Sequence, residues 1–172
     1  MLMAISLFGG TASGQVPPSA RTGPAADSTE LIIRKIRKEF SRINSDSAKY
    51  RVVSQNTFEE SSEGGEIVRY FDGKQLIKMV GTFYGAIGNT VIEYYFRDGK
   101  LFFCYQQDRM YDKYMSGKVI KIEKSRFYLD NLKLIRWLKS NGKIADKALY
   151  PAKQQELLEQ VTHLLSIKPE DP

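Results

Sequence analysis

The chain has 172 residues, 42% of them hydrophobic and 27% charged, with 26 Lys and Arg against 20 Asp and Glu and a net charge of +6. This length suits one domain with a sizeable core, and the apolar fraction excludes a disordered chain. The single cysteine, Cys104, and the single histidine, His163, exclude a disulfide framework and most cysteine or histidine metal sites. We therefore expect no metal and no cofactor.

The first 14 residues have the order expected of a signal peptide, with an apolar run over 1–8 followed by small residues over 9–14. The positively charged N-terminal region of a signal peptide is missing, because the first basic residue is Arg21. A truncated N-terminus of the sequence would explain this. Residues 15–27 form a Pro/Ala-rich linker. We predict export to the periplasm or the extracellular space, with the cytoplasm as the alternative. No transmembrane segment is expected, because the apolar run is about half the ~20 residues needed.

The residues after the linker predict an amphipathic helix. Asp27 and Glu30 are placed to form a capping box at its start, and 44–47 ends it after about 15 residues. Apolar residues recur at spacings of three and four: Ile32, Ile33, Ile36, Phe40 and Ile43. Basic residues fill the other face: Arg34, Lys35, Arg37, Lys38 and Arg42.

Three later stretches share one plan, in which aromatic residues enter a turn and a lysine leaves it. They cover 69–74, 95–100 and 127–133, and each has Asp-Gly or Asp-Asn at the turn. These turn residues tolerate positive φ and are typical of β-hairpins. Hairpins in series predict an antiparallel meander of about six to eight strands.

Pro151 and the apolar spacing that follows it predict a second amphipathic helix. The fold class is therefore α+β, with an N-terminal and a C-terminal amphipathic helix packed on one face of the antiparallel meander. The domain is expected to span 28–168, with a tail over 169–172.

The central hairpin is the clearest case for assigning faces. A two-residue turn at Asp98-Gly99 predicts the pairs Phe96 with Leu101, Tyr94 with Phe103 and Ile92 with Tyr105, whereas a bulge would shift the pairing by one. The other face, with Tyr95 and Glu93, is aromatic but half polar. A helix covers such a face, or it binds a ligand.

Several loops offer candidate contact residues. Tyr84 lies at the apex of a glycine-rich turn over 82–89, and Tyr111 and Tyr114 lie in the longest loop, 109–117, where they would offer amphipathic contact area. The acidic stretch 59–66 lacks the spacing of a calcium loop and is interpreted as a solvated connection.

The positive charge is concentrated in the later hairpins. Residues 45–108 hold 7 basic and 9 acidic residues, whereas 109–147 hold 11 basic and 4 acidic residues. Arg126 and Trp137 lie in this basic part and favour an anionic or apolar ligand or an acidic protein. Nucleic acid is an alternative partner, but no RNP, KH or zinc motif supports it.

No residues indicate a catalytic site. Cys104 is expected to be a buried apolar residue and His163 to lie at the edge of the second helix. Glu66 and Glu93 could form an acid/base pair, although nothing in their spacing shows that they meet. A hydrolase that uses these carboxylates is therefore kept as an alternative.

The stretch from Ile32 to about Trp137 resembles small exported bacterial proteins of uncharacterised function. The residues that carry the resemblance are 36–40 with 43–44, the segment 63–66, and 93–96 before 98–101. The resemblance implies export and a sheet-rich domain.

Together these observations predict a non-enzymatic binding or scaffold domain with an aromatic, basic sheet surface. The candidate contact residues are Tyr84, Tyr95, Tyr111, Tyr114, Arg126 and Trp137.

Overall fold

The computed structural model describes residues 24–168 with the exception of Glu59. The predicted signal peptide, residues 15–23 of the predicted linker and the predicted tail lie outside these residues. The helices and strands are α1 (Pro24–Ser45), β1 (Arg51–Thr57), β2 (Gly65–Asp72), β3 (Gln75–Gly85), β4 (Gly88–Arg97), β5 (Lys100–Tyr111), β6 (Val119–Asp130), β7 (Lys133–Leu138) and α2 (Tyr150–Ser166).

The seven strands form one sheet in the order of the sequence, and every neighbouring pair is antiparallel. A helix precedes the sheet and another follows it. The prediction of an α+β fold around an antiparallel meander is therefore confirmed.

The two helices differ in how well the sequence predicted their starts. α1 begins at Pro24, three residues before the predicted cap at Asp27, so the predicted start is wrong. Proline suits the first turn of a helix, and the two alanines after it are strong helix formers. α2 begins at Tyr150 with Pro151 in its first turn, as predicted.

Three hairpins repeat one irregular geometry. A two-residue turn joins β2 to β3, β4 to β5 and β6 to β7, and each second strand then carries one extra residue opposite no partner. The extra residues are Ile77, Phe102 and Ile135. Each lies between the turn of its hairpin and a regular pair, and these pairs are Tyr70↔Lys78, Tyr95↔Phe103 and Tyr128↔Arg136. These β-bulges lie at one end of the sheet, which we call the bulged end.

The bulge at Phe102 corrects the predicted register of the central hairpin. The Asp98-Gly99 turn and the pair Phe96↔Leu101 are as predicted. Beyond the bulge Tyr94 pairs with Cys104 and Ile92 with Gln106. The shift by one that the sequence left open is therefore found, and the pairs with Phe103 and Tyr105 are not formed. A bulge adds one residue to one strand, which shifts every later pair by one.

The helices lie on opposite faces of the sheet, so the prediction of both helices on one face is wrong. Leu157, Val161 and Leu164 of α2 are buried in a cluster with Tyr94, whereas Ile33, Ile36 and Ile43 of α1 are buried in a cluster with Tyr95. Adjacent residues of a strand point to opposite faces, so these two clusters are separated by the sheet.

Both helices cross the sheet from β7 towards its other edge. At its start α1 is tied to β7 by an ion pair of 2.5 Å between Glu30 and Arg136. The far end of α2 is held by the buried guanidinium of Arg69 on β2, which donates to the carbonyl oxygens of Leu164 and Ile167 at 3.1 and 2.7 Å. A cation that binds the last carbonyl groups of a helix satisfies acceptors that have no partner within the helix.

The turn after β6 contains a residue type that its backbone disfavours. Leu132 has φ +66°, and Gly99 occupies the same second turn position in the β4–β5 hairpin with φ +71°. Positive φ costs a residue with a side chain about 1–2 kcal/mol. We therefore expect Leu132→Gly to raise the free energy of unfolding by about 0.5–1 kcal/mol, measured by urea denaturation.

The matched variant Gly99→Leu should lower the unfolding free energy. A loss of stability in Leu132→Gly would contradict the prediction, because it would show that contacts of the leucine side chain outweigh its backbone strain.

Candidate functional site

A groove opens on the sheet beside α1, where the helix leaves part of β5 and β6 uncovered. It has a volume of about 440 Å³, and we call it the α1 groove. Its lining residues come from one helix and two strands: Ile36, Arg37, Phe40, Ser41, Phe103, Tyr105, Arg126 and Tyr128. This volume is within the range of about 300–1,000 Å³ that is typical of small-molecule sites.

Aromatic rings form the floor of the α1 groove; Phe40 and Phe103 pack edge to face, and Phe103 and Tyr128 pack at a tilted angle. The ring of Phe103 lies 5.2 Å from that of Phe40 and 5.0 Å from that of Tyr128, measured between centroids. An edge-to-face contact such as that of Phe40 with Phe103 stabilises an aromatic cluster beyond the area that it buries. The floor is therefore apolar and held in place by its own packing.

Two arginines stand over tyrosine rings at the groove. The guanidinium of Arg37 lies 5.7 Å from the centroid of Tyr128, and that of Arg126 lies 5.3 Å from the centroid of Tyr105. Arg37 Nε also donates to the hydroxyl oxygen of Tyr128 at 3.4 Å. Among the described residues neither arginine forms an ion pair with a carboxylate. Their donors can therefore face an anion in the groove.

A polar network fixes the far end of α1 to the sheet beside this groove. Lys78 Nζ lies 2.8 Å from a carboxylate oxygen of Glu93 and donates to Asn44 Oδ1 at 2.9 Å. The hydroxyl of Tyr95 donates to Glu93 and accepts from Asn44 Nδ2 at 3.0 Å. Because Asn44 is on α1 and the other three are on β3 and β4, the network sets where the helix lies on the sheet.

Burial keeps two adjacent tyrosines, Tyr94 and Tyr95, neutral. It raises the pKa of Tyr95, and the hydrogen bond to Glu93 raises that pKa further. Burial likewise raises the pKa of the adjacent Tyr94, whose hydroxyl has no hydrogen-bond partner among the described residues. Neither group is suited to act as a base or a nucleophile near neutral pH.

The structure brings only one of the six predicted contact residues into the α1 groove. Arg126 lines it, but Tyr95 is 0% exposed beneath α1. Of the two alternatives for the half-polar face, the covering helix is the one found at this position, because α1 packs over Tyr95.

Three other predicted contact residues lie at the end of the sheet opposite the bulged end, which we call the distal end. Tyr84 and Tyr114 are exposed there, whereas Tyr111 is half-buried. Backbone bonds join the β3–β4 turn to the β5–β6 loop, since Tyr111 N–H donates to Ile87 O at 2.9 Å and Met115 N–H donates to Ala86 O at 2.6 Å. The predicted loop bounds of 109–117 are wrong, because β5 continues to Tyr111 and the connection to β6 covers 112–118. This connection is held to the β3–β4 turn and lies far from the α1 groove.

Trp137 lies on the α2 face of the sheet and lines a different cavity of about 440 Å³. Its indole N–H donates to Ser125 Oγ at 3.2 Å, and the ammonium groups of Lys139 and Lys153 lie 5.7 and 5.5 Å from its ring. Asp108 and Glu123 also line this cavity, so its charge is mixed.

The predicted acid/base pair is divided by a strand. Glu66 on β2 accepts from Ser54 Oγ at 2.6 Å, whereas Glu93 on β4 is engaged by Lys78 and Tyr95. Strand β3 lies between them, and sheet geometry places their Cα atoms about 12 Å apart. Each carboxylate therefore has its own partners.

The lone cysteine and histidine have structural surroundings. Cys104 is fully buried, and burial raises the pKa of its thiol. His163 Nε2 lies 2.9 Å from a carboxylate oxygen of Glu60, which ties α2 to the connection between β1 and β2. Within the described residues no group of three or more His, Cys, Asp or Glu is placed to hold a metal ion.

Sequence reasoning missed most of the α1 groove. Arg37 was assigned to the polar face of α1, and Tyr105 and Phe103 were assigned by a register that the bulge at Phe102 shifts. The stretch 102–105 did carry a signal, because four consecutive apolar or aromatic residues are typical of a strand that is buried on both faces.

Comparisons with protein-family models, with curated proteins and with solved structures found no match for this chain. Neither helix in the described part of the chain has the length and apolar character required to cross a membrane.

Two adjacent tyrosines, both 0% exposed, test what the α1 network contributes. Tyr95→Phe removes a hydroxyl with partners, and we expect it to lower the free energy of unfolding by about 1–3 kcal/mol. Tyr94→Phe removes a hydroxyl without a partner, so it should leave stability unchanged or raise it by about 1 kcal/mol. Urea denaturation of both variants measures the difference, and equal losses would contradict it.

The raised pKa of Tyr94 also predicts a pH dependence. In the unfolded chain the Tyr94 hydroxyl loses its proton above its ordinary pKa of about 10, whereas in the folded chain it keeps that proton. The contribution of Tyr94 to the free energy of unfolding is therefore full below pH ~10 and is lost as the pH rises further. By pH ~11 this loss amounts to about 1.4 kcal/mol in the native chain and is absent in Tyr94→Phe. Urea denaturation at pH ~8 and ~11 measures the free energies of unfolding of both proteins. Between these pH values the variant should gain stability relative to the native chain by that amount, and a difference that does not change with pH would contradict the assignment.

Proposed function

We propose that this protein is a binding domain whose α1 groove holds a small anion with an aromatic or other apolar body. The observation that carries the proposal is the pair Arg37 and Arg126, whose guanidinium groups stand over a floor of aromatic rings and form no ion pair among the described residues. An apolar body would cover the rings, while a carboxylate, sulfonate or phosphate would meet the arginines.

The chemistry of the groove supports such a ligand. Guanidinium groups form paired hydrogen bonds with planar and tetrahedral anions, and they do so more strongly where water is partly excluded. Ser41 and Tyr105 add two hydroxyl groups to the lining. No acidic residue is among the eight residues that line the groove, so an anion meets no repulsion from them.

Two other cavities, one at Trp137 and one at the bulged end, fit this ligand class less well. The cavity at Trp137 has Asp108 and Glu123 in its lining, and a cavity of about 360 Å³ at the bulged end has Asp98 and Asp130 beside Lys35 and Arg97. Mixed charge in a lining opposes an anion and favours contacts within the protein.

The proposal is compatible with the export that the sequence predicts, which remains a prediction. It does not require a catalytic residue. The hydrolase alternative has less support, because Glu66 and Glu93 have separate partners on β2 and β4.

A matched pair of fluorescent probes tests the proposal. We expect anilinonaphthalene sulfonate to bind one site per chain, and the uncharged N-phenylnaphthylamine, which has the same aromatic rings, to bind at least about tenfold more weakly. Arg126→Gln and Arg37→Gln should each weaken sulfonate binding about five- to thirtyfold, the loss expected for a charge-assisted hydrogen bond of about 1–2 kcal/mol. Fluorescence titration gives both dissociation constants.

Lys139→Gln is the control, because it removes a positive charge at the Trp137 cavity on the opposite face. Urea denaturation of each variant should show one cooperative transition, since partly unfolded chains also bind this probe. Equal affinity of the two probes, or a larger loss in Lys139→Gln than in the arginine variants, would contradict the proposed site.

A further inference from the structure

The outer edge of β6 is unpaired over much of its length. β7 pairs only with Arg126–Asp130 of β6, so residues 119–125 have a neighbouring strand on one side alone. Among the described residues only Ser140 bonds to the backbone of this free edge, at Lys124. A sheet edge with free N–H and C=O groups is a template for another strand.

The bonds at Ser140 show which backbone groups face outward. The Lys124 N–H donates to Ser140 Oγ, and the hydroxyl of Ser140 donates to the Lys124 carbonyl oxygen at 3.2 Å. Both groups of Lys124 therefore point away from β5. Because this direction alternates along a strand, both groups of Ile122 point outward as well. Two residues with outward groups can exchange a pair of hydrogen bonds in an antiparallel arrangement.

The side chains along this edge complement a second copy of the same edge. If two copies pair in antiparallel fashion about Ile122, that residue faces its equivalent, and Lys121 of each copy faces Glu123 of the other. Within one chain Lys121 Nζ and Glu123 Oε1 already lie 2.7 Å apart on one face. The pairing would join two such ion pairs into a square of alternating charge.

Neighbouring registers lack this match. If the centre of the pairing moves from Ile122 to Lys121, the two Lys121 side chains face each other. If it moves to Glu123, the two Glu123 side chains face each other. A centre that lies midway between two residues instead exchanges the two faces of the strand. Like charges directly opposite each other destabilise a strand pair, so the charges favour one register.

The apolar side chains of this edge are exposed in the single chain. Ile122 is 44% exposed and Ile120 is 63% exposed, and every other residue between Val119 and Lys124 is exposed as well. Exposed β-branched residues on a free edge promote association. Self-pairing would cover part of this surface.

We propose that the protein forms a symmetric dimer in which the β6 edges of two copies pair in antiparallel fashion about Ile122. The two-fold axis of such a pair is perpendicular to the sheet, so the α1 grooves of both copies lie on the same side of one continuous sheet. The inference does not depend on what the α1 groove binds.

Sedimentation velocity of the full chain tests this dimer. We expect the native chain to dimerise reversibly between about 1 and 200 µM, the range of a small interface. Lys121→Glu and Glu123→Lys should each weaken dimerisation at least about tenfold, because each sets like charges opposite each other. A mixture of the two variants should form a heterodimer, since its facing charges are again opposite.

Lys118→Glu is the matched control, because Lys118 is exposed and forms an ion pair with Asp112 within the loop that joins β5 to β6. It should leave dimerisation unchanged. A native chain that stays monomeric up to about 200 µM would overturn the proposal. A dimer that the single charge variants leave intact, or a mixture that fails to associate, would also overturn it.

Discussion

The burial of one sheet on both of its faces is the constraint on which the rest of this structure depends. A central strand in such a sheet must carry apolar side chains at consecutive positions. Tyr94 and Tyr95 show the consequence, because one is buried against the cluster of α2 and the other against the cluster of α1. The aromatic runs in β4 and β5 exist because these strands have no face left for solvent near the helices.

The three bulges adapt the sheet to α1. Ile77 and Phe102 are buried in the same cluster as the apolar residues of α1, and Ile135 packs against that cluster. A bulge increases the local twist and gives its strand one more residue to pack on this side. The same device in three successive hairpins therefore supports a helix that crosses strand after strand, from Glu30 at β7 to Asn44 beside β3.

The α1 groove and the free edge of β6 both lie where the sheet extends beyond the elements that cover it. β5 and β6 have 12 residues each, whereas β7 has six, and both helices pack towards the bulged end. The α1 groove lies at the border between covered and uncovered sheet, so it combines a packed aromatic floor with arginines in reach of solvent. The free edge of β6 has the same origin, because β7 ends before its neighbour does.

The sequence by itself determined the antiparallel meander, its hairpin turns and the start of α2. These follow from short-range rules, since positive φ at Asp98-Gly99 and proline in a first helical turn act within a few residues. The same local rules located Arg126 but could not join it to Arg37, which is 89 positions earlier in the chain.

Only the tertiary structure decided which face each helix covers, how the bulges shift the register and where the α1 groove lies. A half-polar aromatic strand face has the same sequence whether a helix covers it or solvent does. Tyr95 is fully buried under α1, whereas Tyr105 is only partly buried in the α1 groove, and this difference depends on where the helix crosses the sheet. That position is set by contacts between distant residues, such as Asn44 with Lys78 and Glu30 with Arg136.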